Sequence, residues 1–207
     1  MSLTLYVDSI FASPWALSVF VALTEKGLPF TVETVDLESG QNKLPAYRDL
    51  LPTTRIPALV HDGFALSEST AIAEYLDEAF PAPDYVALLP ADLRQRARAR
   101  QIQSWLRSDL APVRAERNTE TVFFQHPVEP LSAEGQASAA KLLAAAERLI
   151  DGQHLFGQWS IADTDLTMML NRLILNGDPV PERIKQYAAA QWQRPSVQQW
   201  LARHQPQ

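Results

Sequence analysis

Pro81, Pro83 and Pro90 divide the sequence into two parts with different apolar rhythms, and this division limits the fold more than any other feature. Before the prolines, short apolar runs alternate with helix-length patterns. Leu3 to Val7 and Phe30 to Val35 read as strands. Between them, Pro14 opens a helical pattern through Leu17, Phe20, Val21 and Leu23, with Gly27 as a stop. Residues 38–54 contain Gly40, Pro45 and Pro52 and read as a loop with at most a short helix. Pro57 to Val60 and Phe64 to Leu66 flank Asp62-Gly63, a strong hairpin signal. Ser67 starts a further helix, with Ile72, Tyr75, Leu76 and Phe80 on one face. The order β-α-β-α-β-β-α describes an α+β domain with one right-handed crossover and a terminal hairpin.

After the prolines no strand pattern is found. Leu93, Ala97, Ile102, Trp105, Leu106 and Leu110 recur at helical spacing, as do Ala139, Leu142, Leu143, Ala146, Leu149 and Ile150, closed by Gly152. A helix follows Ser160, and a final one holds Val197, Trp200 and Leu201. The expected boundaries are an α+β domain over residues 1–81 and an all-helical domain over residues 88–207.

Charge and composition remove several function classes. A net charge of -6 disfavours a general nucleic-acid binder, which needs surplus cations to displace counterions from phosphate. The run Arg94, Arg96, Arg98, Arg100 spreads around a helix and reads as a solvated face. The first residues show neither a basic region nor an apolar stretch of signal-peptide type, and nothing reaches the roughly 18 apolar residues of a membrane span. A cytoplasmic protein is expected. The chain has no cysteine, which rules out a disulfide scaffold, a thiolate zinc site and a C-x-x-C redox pair. Any sulfur chemistry must arrive with a ligand. The four histidines lie in separate segments without metal-ligand spacing, so no metal is expected. There is no P-loop, no G-x-G-x-x-G turn and no G-x-S-x-G elbow.

Three short stretches carry candidate chemistry. In Phe11-Ala12-Ser13-Pro14-Trp15, Ser13 stands at the N-cap of the first helix and Pro14 at its first position. Either the hydroxyl is a cap and nothing more, or it donates to an anion beside the positive helix end. In Arg55-Ile56-Pro57, the proline either simply opens a strand or forms a cis Ile56-Pro57 bond, which would turn the Ile56 backbone outward to pair with an extended peptide; sequence alone does not prove the cis form. In Leu66-Ser67-Glu68-Ser69-Thr70, capping again suffices as an explanation. The alternative is a serine hydroxyl with unpaired helix N–H groups for a carboxylate, and Glu68 for an ammonium. Together these would take an amino-acid head group.

With these motifs in order, and Ser160-Ile161-Ala162-Asp163 in the helical part, the chain resembles the cytosolic glutathione transferases over essentially its whole length. The resemblance implies a thioredoxin-like N-terminal domain with a cis-proline at Pro57, followed by an all-α domain. Ser13 matches the catalytic serine of the serine-type classes, most similar to the plant tau pattern of Ser-Pro-aromatic. Ile56 matches the residue that pairs with the cysteinyl part of glutathione, and Glu68 and Ser69 match the pair holding its γ-glutamyl end. Asn42 or Lys43 would reach the glycine carboxylate. Ser160 and Asp163 match the family's helix-capping box, a folding device. Two departures stand out: Trp159 faces Thr164 where a hydrophobic staple is usual, and Ser18 occupies a position where serine-type members often carry Arg.

The resemblance implies a homodimeric enzyme with glutathione as co-substrate. It would activate the thiol for conjugation to electrophiles or for reduction of peroxides or disulfides, as in detoxification and glutathione peroxidase activity. The acceptor would sit between the domains, with Trp15, Trp105 and Arg114 as candidate neighbours. Two rivals are a non-catalytic binding or adaptor protein on the same fold, and a structural α+β protein for which all three helix-start motifs are coincidence.

Overall fold

A computed structural model describes residues 1–204. Two compact units divide the chain: Met1–Leu88 joined by residues 202–204, and Leu89–Leu201.

In the first unit, β1 (Leu3–Asp8) precedes α1 (Pro14–Glu25), β2 (Thr31–Val35), a 3-10 turn at Gln41–Lys43, α2 (Pro45–Arg48), β3 (Ala58–His61), β4 (Phe64–Ser67) and α3 (Ser69–Ala79). The strand order is β2-β1-β3-β4. The crossover through α1 makes β1 and β2 parallel, whereas β3 runs antiparallel to β1 and to β4. Period-two burial of Leu3, Leu5 and Val7 turns one face of β1 toward the core, where α1 and α3 pack together. The β3–β4 hairpin turns at Asp62 and Gly63 with φ of 46° and 88°, the left-handed pair that Asp-Gly accommodates.

The last helix of this unit starts later than the sequence predicts. Ser67 closes β4, Glu68 follows at φ 71° and ψ 110°, and α3 begins at Ser69. No side chain caps this helix. The Ser67 hydroxyl instead meets the Thr53 hydroxyl at 2.9 Å. A Ser-Glu-Ser-Thr sequence imitates a capped helix start, but here the strand pairing of Ser67 with Ala58 takes precedence over capping.

Among its described residues the second unit contains α4 (Leu93–Ser108), α5 (Ala111–Glu116), α6 (Thr119–Phe123), α7 (Ala133–Leu149), α8 (Ile161–Ile174), α9 (Glu182–Trp192) and α10 (Pro195–Leu201). The apolar phase expected for α4 is displaced. Leu93 is 80% exposed and Ala97 is exposed, and the buried stripe is Ala99, Ile102, Gln103 and Leu106. The stripe has ideal i, i+3, i+4, i+7 spacing but includes a glutamine. Its buried amide donates to Asp165 at 2.8 Å.

Every residue of α8 from Ile161 to Leu173 is buried, which marks it as the central helix of its unit. Asp163 anchors its start. The carboxylate accepts from the amides of Leu155 (2.8 Å) and Ser160 (2.9 Å), from the Ser160 hydroxyl (2.9 Å) and from the Tyr187 hydroxyl (2.8 Å). Burial, and secondarily the Asp163 charge, pushes the Tyr187 phenol well above its usual range. Trp159, whose hydrophobic partner is missing at Thr164, lies instead under the Arg194 guanidinium at 4.3 Å.

Candidate functional site

Strand register gathers the three candidate stretches at one end of the sheet. Tyr6 on β1 faces Ala58 on β3, and Ala58 faces Ser67 on β4. β1 therefore runs out toward Ser13 at the same end where Pro57 enters β3 and β4 runs out into Glu68. All three belong to the first unit.

Ser13 is held from beneath by Asp8, the last residue of β1. The Asp8 carboxylate, 6% exposed, accepts from the amides of Ala12 (2.5 Å) and Ser13 (3.0 Å). Ser13 is the extended N-cap of α1, and its hydroxyl accepts from the Ala16 amide at 3.2 Å. That bond uses an oxygen lone pair and leaves the O–H as a donor. The half-buried hydroxyl thus combines a donor with the positive end of a 12-residue helix. Ser18, one turn further on, is buried, so α1 carries no cation there.

The Ile56-Pro57 bond is cis. The loop leading to it is tied down residue by residue. Thr53 bonds Ser67, the Thr54 carbonyl accepts from the Asn42 amide nitrogen at 2.9 Å, and the Arg55 carbonyl accepts from the Tyr47 hydroxyl at 2.8 Å. Tyr47 is buried with Val35, Leu51 and Ala58, and its ring stands edge-on to Tyr6 at 5.7 Å. Burial, and then Tyr6, pushes its phenol above the usual range, so it remains a donor. Asn42 thus commits one of its two side-chain N–H donors to the loop, whereas Lys43 beside it is exposed.

Glu68 is exposed, and Ser69 behind it is 4% exposed in the first turn of α3. A positive φ of 71° for a glutamate is a sparsely populated conformation that the surroundings must impose. An uncapped helix N-terminus, a serine hydroxyl and a carboxylate stand together here, able to take a carboxylate and an ammonium borne by one carbon of a ligand. Ser160 and Asp163 lie in the other unit, where they hold the start of α8.

Three residues of this arrangement escape a reading of the sequence, Asp8, Tyr47 and Thr53, while Ser67, read there as a helix start, ends β4 and bonds Thr53 instead. Each acts through a backbone group or hydroxyl brought near by folding. Asp8 offers only the hint of a carboxylate ending an apolar run. Among the described residues, no group of three or more His, Cys, Asp or Glu side chains could hold a metal ion, and no helix is long and apolar enough to cross a membrane.

Residues 12–79 match the family model for the glutathione S-transferase N-terminal domain, and residues 92–205 that for the C-terminal domain. The chain is 33% identical to glutathione S-transferase theta-3 of Mus musculus over 134 residues, covering 63% of this chain and 54% of that protein. It is 41% identical over 98 residues to maleylacetoacetate isomerase of Pseudomonas aeruginosa, covering 46% and 45%. The chain spans about half the length of the relatives it matches in this way. Among solved structures, a glutathione transferase homolog from Burkholderia, determined with bound glutathione, is 48% identical. It covers 99% of this chain and 98% of its own, with a TM-score of 0.83.

Proposed function

The chain belongs to the glutathione S-transferase family, and from that premise we propose that it is a glutathione-dependent transferase whose thiol-activating residue is Ser13. The observation that carries this reading is the convergence of the Ser13 hydroxyl, the Ile56-Pro57 entry to β3 and the Glu68-Ser69 helix start at one end of a single sheet. Bound glutathione in the Burkholderia homolog supports it.

In this reading the γ-glutamyl carboxylate rests on the Ser69 hydroxyl and the first amides of α3, and Glu68 takes the ammonium. Ile56 pairs with the cysteinyl backbone. Lys43, exposed and cationic, fits the glycine carboxylate better than Asn42, which is half-buried and has one of its two amide N–H groups on the Thr54 carbonyl. The thiol then lies against Ser13, whose O–H stabilises the thiolate as the proton leaves to solvent. A free thiol titrates near ~8.5, so only a few per cent is ionised at neutral pH. Lowering that value by ~2 units takes about 2.7 kcal/mol of preferential thiolate stabilisation. One charge-assisted hydrogen bond at a helix N-terminus supplies an amount of that order.

Attack of the thiolate on an electrophilic carbon forms the S–C bond and expels the leaving group with its electron pair. With a hydroperoxide, the thiolate attacks one peroxide oxygen, an S–O bond forms as the O–O bond breaks, and the alkoxide leaves and is protonated to an alcohol. A second glutathione thiol then displaces the sulfenic oxygen as water and forms the disulfide. Ser13-Pro14-Trp15 is a serine-type, tau-like start, and we read the protein as a cytoplasmic homodimer.

The test is a panel of glutathione with an aryl halide, an organic hydroperoxide and a small disulfide. Glutathione-dependent turnover of at least one acceptor is the expected outcome. Tight glutathione binding with no turnover on any of the three would make the protein a non-catalytic binding protein instead.

A further inference from the structure

Building on the role proposed for Ser13, we infer that His204, 193 residues away in sequence, is a positioning residue for the loop that presents it. The chain leaves α10 after Leu201, and residues 202–204 join the first unit. There the His204 Nε2 lies 2.8 Å from the Phe11 carbonyl oxygen. A carbonyl only accepts, so Nε2 carries the proton and donates. The neutral Nε2–H tautomer and the imidazolium both make this bond, and it requires no charge.

The bonded atom is what gives the contact its consequence. Phe11 lies at φ 56°, in the left-handed region that favours glycine. Its carbonyl and the Ala12 amide belong to one peptide plane. Asp8 grips that plane at the Ala12 N–H (2.5 Å), and His204 grips it at the Phe11 C=O. The next plane is held through the Ser13 N–H, again by Asp8 at 3.0 Å. Held at both polar ends, the Phe11–Ala12 peptide cannot rotate without breaking two bonds, and its orientation sets where Ser13 begins α1. Arg203 seats the same segment, with its guanidinium 5.5 Å from the Phe11 ring centroid and 5.1 Å from that of Phe20 on α1. Removing the His204 donor takes away the bond at the Phe11 C=O, while Asp8 still holds the Ala12 N–H, and the peptide that follows an αL phenylalanine is held less firmly. The thiolate-stabilising hydroxyl then samples several positions, although every contact proposed for the glutamyl end remains.

The experiment compares His204→Ala, His204→Gln and Ser13→Ala with the full-length wild type. It reads the ultraviolet thiolate absorbance of bound glutathione against pH, kcat and KM for glutathione, and the thermal midpoint. Glutamine carries a donor near the position of Nε2. In His204→Ala the bound thiol titrates at higher pH, and kcat at neutral pH falls about fivefold, the rate equivalent of one lost neutral hydrogen bond. KM for glutathione changes by less than about twofold, a split expected when only thiol activation is touched. His204→Gln recovers most of kcat and the wild-type titration. A wild-type titration curve in His204→Ala, with the shift abolished in Ser13→Ala, would overturn this inference and leave the Ser13 reading intact. So would equal defects in His204→Gln and His204→Ala that follow only their thermal midpoints. An unshifted thiol in the wild type itself would remove the Ser13 reading first.

Discussion

Glu68 holds a backbone conformation that costs a non-glycine residue on the order of 1–3 kcal/mol, and it does so where strand β4 gives way to helix α3. Its neighbours exact that conformation: Ser67 is paired with Ala58 and bonded to Thr53, while the Glu68 carbonyl already accepts from the Ile72 amide. The result is an uncapped helix start with a carboxylate beside it. If this is where glutathione's amino-acid end binds, Ser69→Ala removes a donor to a charged group worth ~1.5–3 kcal/mol. Calorimetry should then show glutathione affinity lower by roughly tenfold or more, and an unchanged affinity would displace the site. At this scale the sequence is only partly legible. Ser13 announces itself through Pro14, because a proline fits the first turn of a helix. The torsion of Glu68 is hidden, because Ser-Glu-Ser-Thr reads equally well as a cap. Asp8 and Tyr47 are hidden too, since their partners Ala12, Ser13 and Arg55 are backbone atoms that only folding brings into reach.

Elements are more legible than contacts, and the failures have physical causes. The strands and the Asp62-Gly63 hairpin follow from short apolar runs and turn chemistry. The phase of α4 does not, because its buried stripe includes Gln103 and its apolar Leu93 points to solvent. Helices α5 and α6 are too short, at six and five residues, to show a period. One buried charge also stands outside any periodic argument. Lys26, the C-cap of α1, has a side chain with 0% exposure, and its Nζ donates to Asp77 (3.2 Å), the Phe80 carbonyl (2.8 Å) and the Val86 carbonyl (2.9 Å). Asp77 in turn accepts from the Leu88 amide at 2.8 Å. The ammonium thus ties α1, α3 and the segment after α3 together. Lys26→Met leaves the Asp77 charge buried without its cation, which costs about 3–5 kcal/mol. Urea denaturation should show that loss as a lower midpoint with an unchanged slope; a change below about 1 kcal/mol would show that the pair is expendable.

At the scale of the molecule, the change from alternating to helical rhythm at Pro81, Pro83 and Pro90 made the α+β-then-α architecture readable, because the period of apolar residues reports what they pack against. Quaternary structure is not readable from period. The proposed homodimer predicts sedimentation at micromolar concentration as a species of twice 23.1 kDa, and a purely monomeric boundary would refute it. The central claim is that this fold binds glutathione and lowers the pKa of its thiol through Ser13. The most direct measurement is the ultraviolet thiolate titration of glutathione bound to the wild type and to Ser13→Ala. The account predicts a wild-type thiol titrating ~2 units below the free value of ~8.5, and a Ser13→Ala curve moved back toward it by about one to two units with little change in affinity. Superimposable curves for the two proteins would contradict it and leave Ser13 a helix cap.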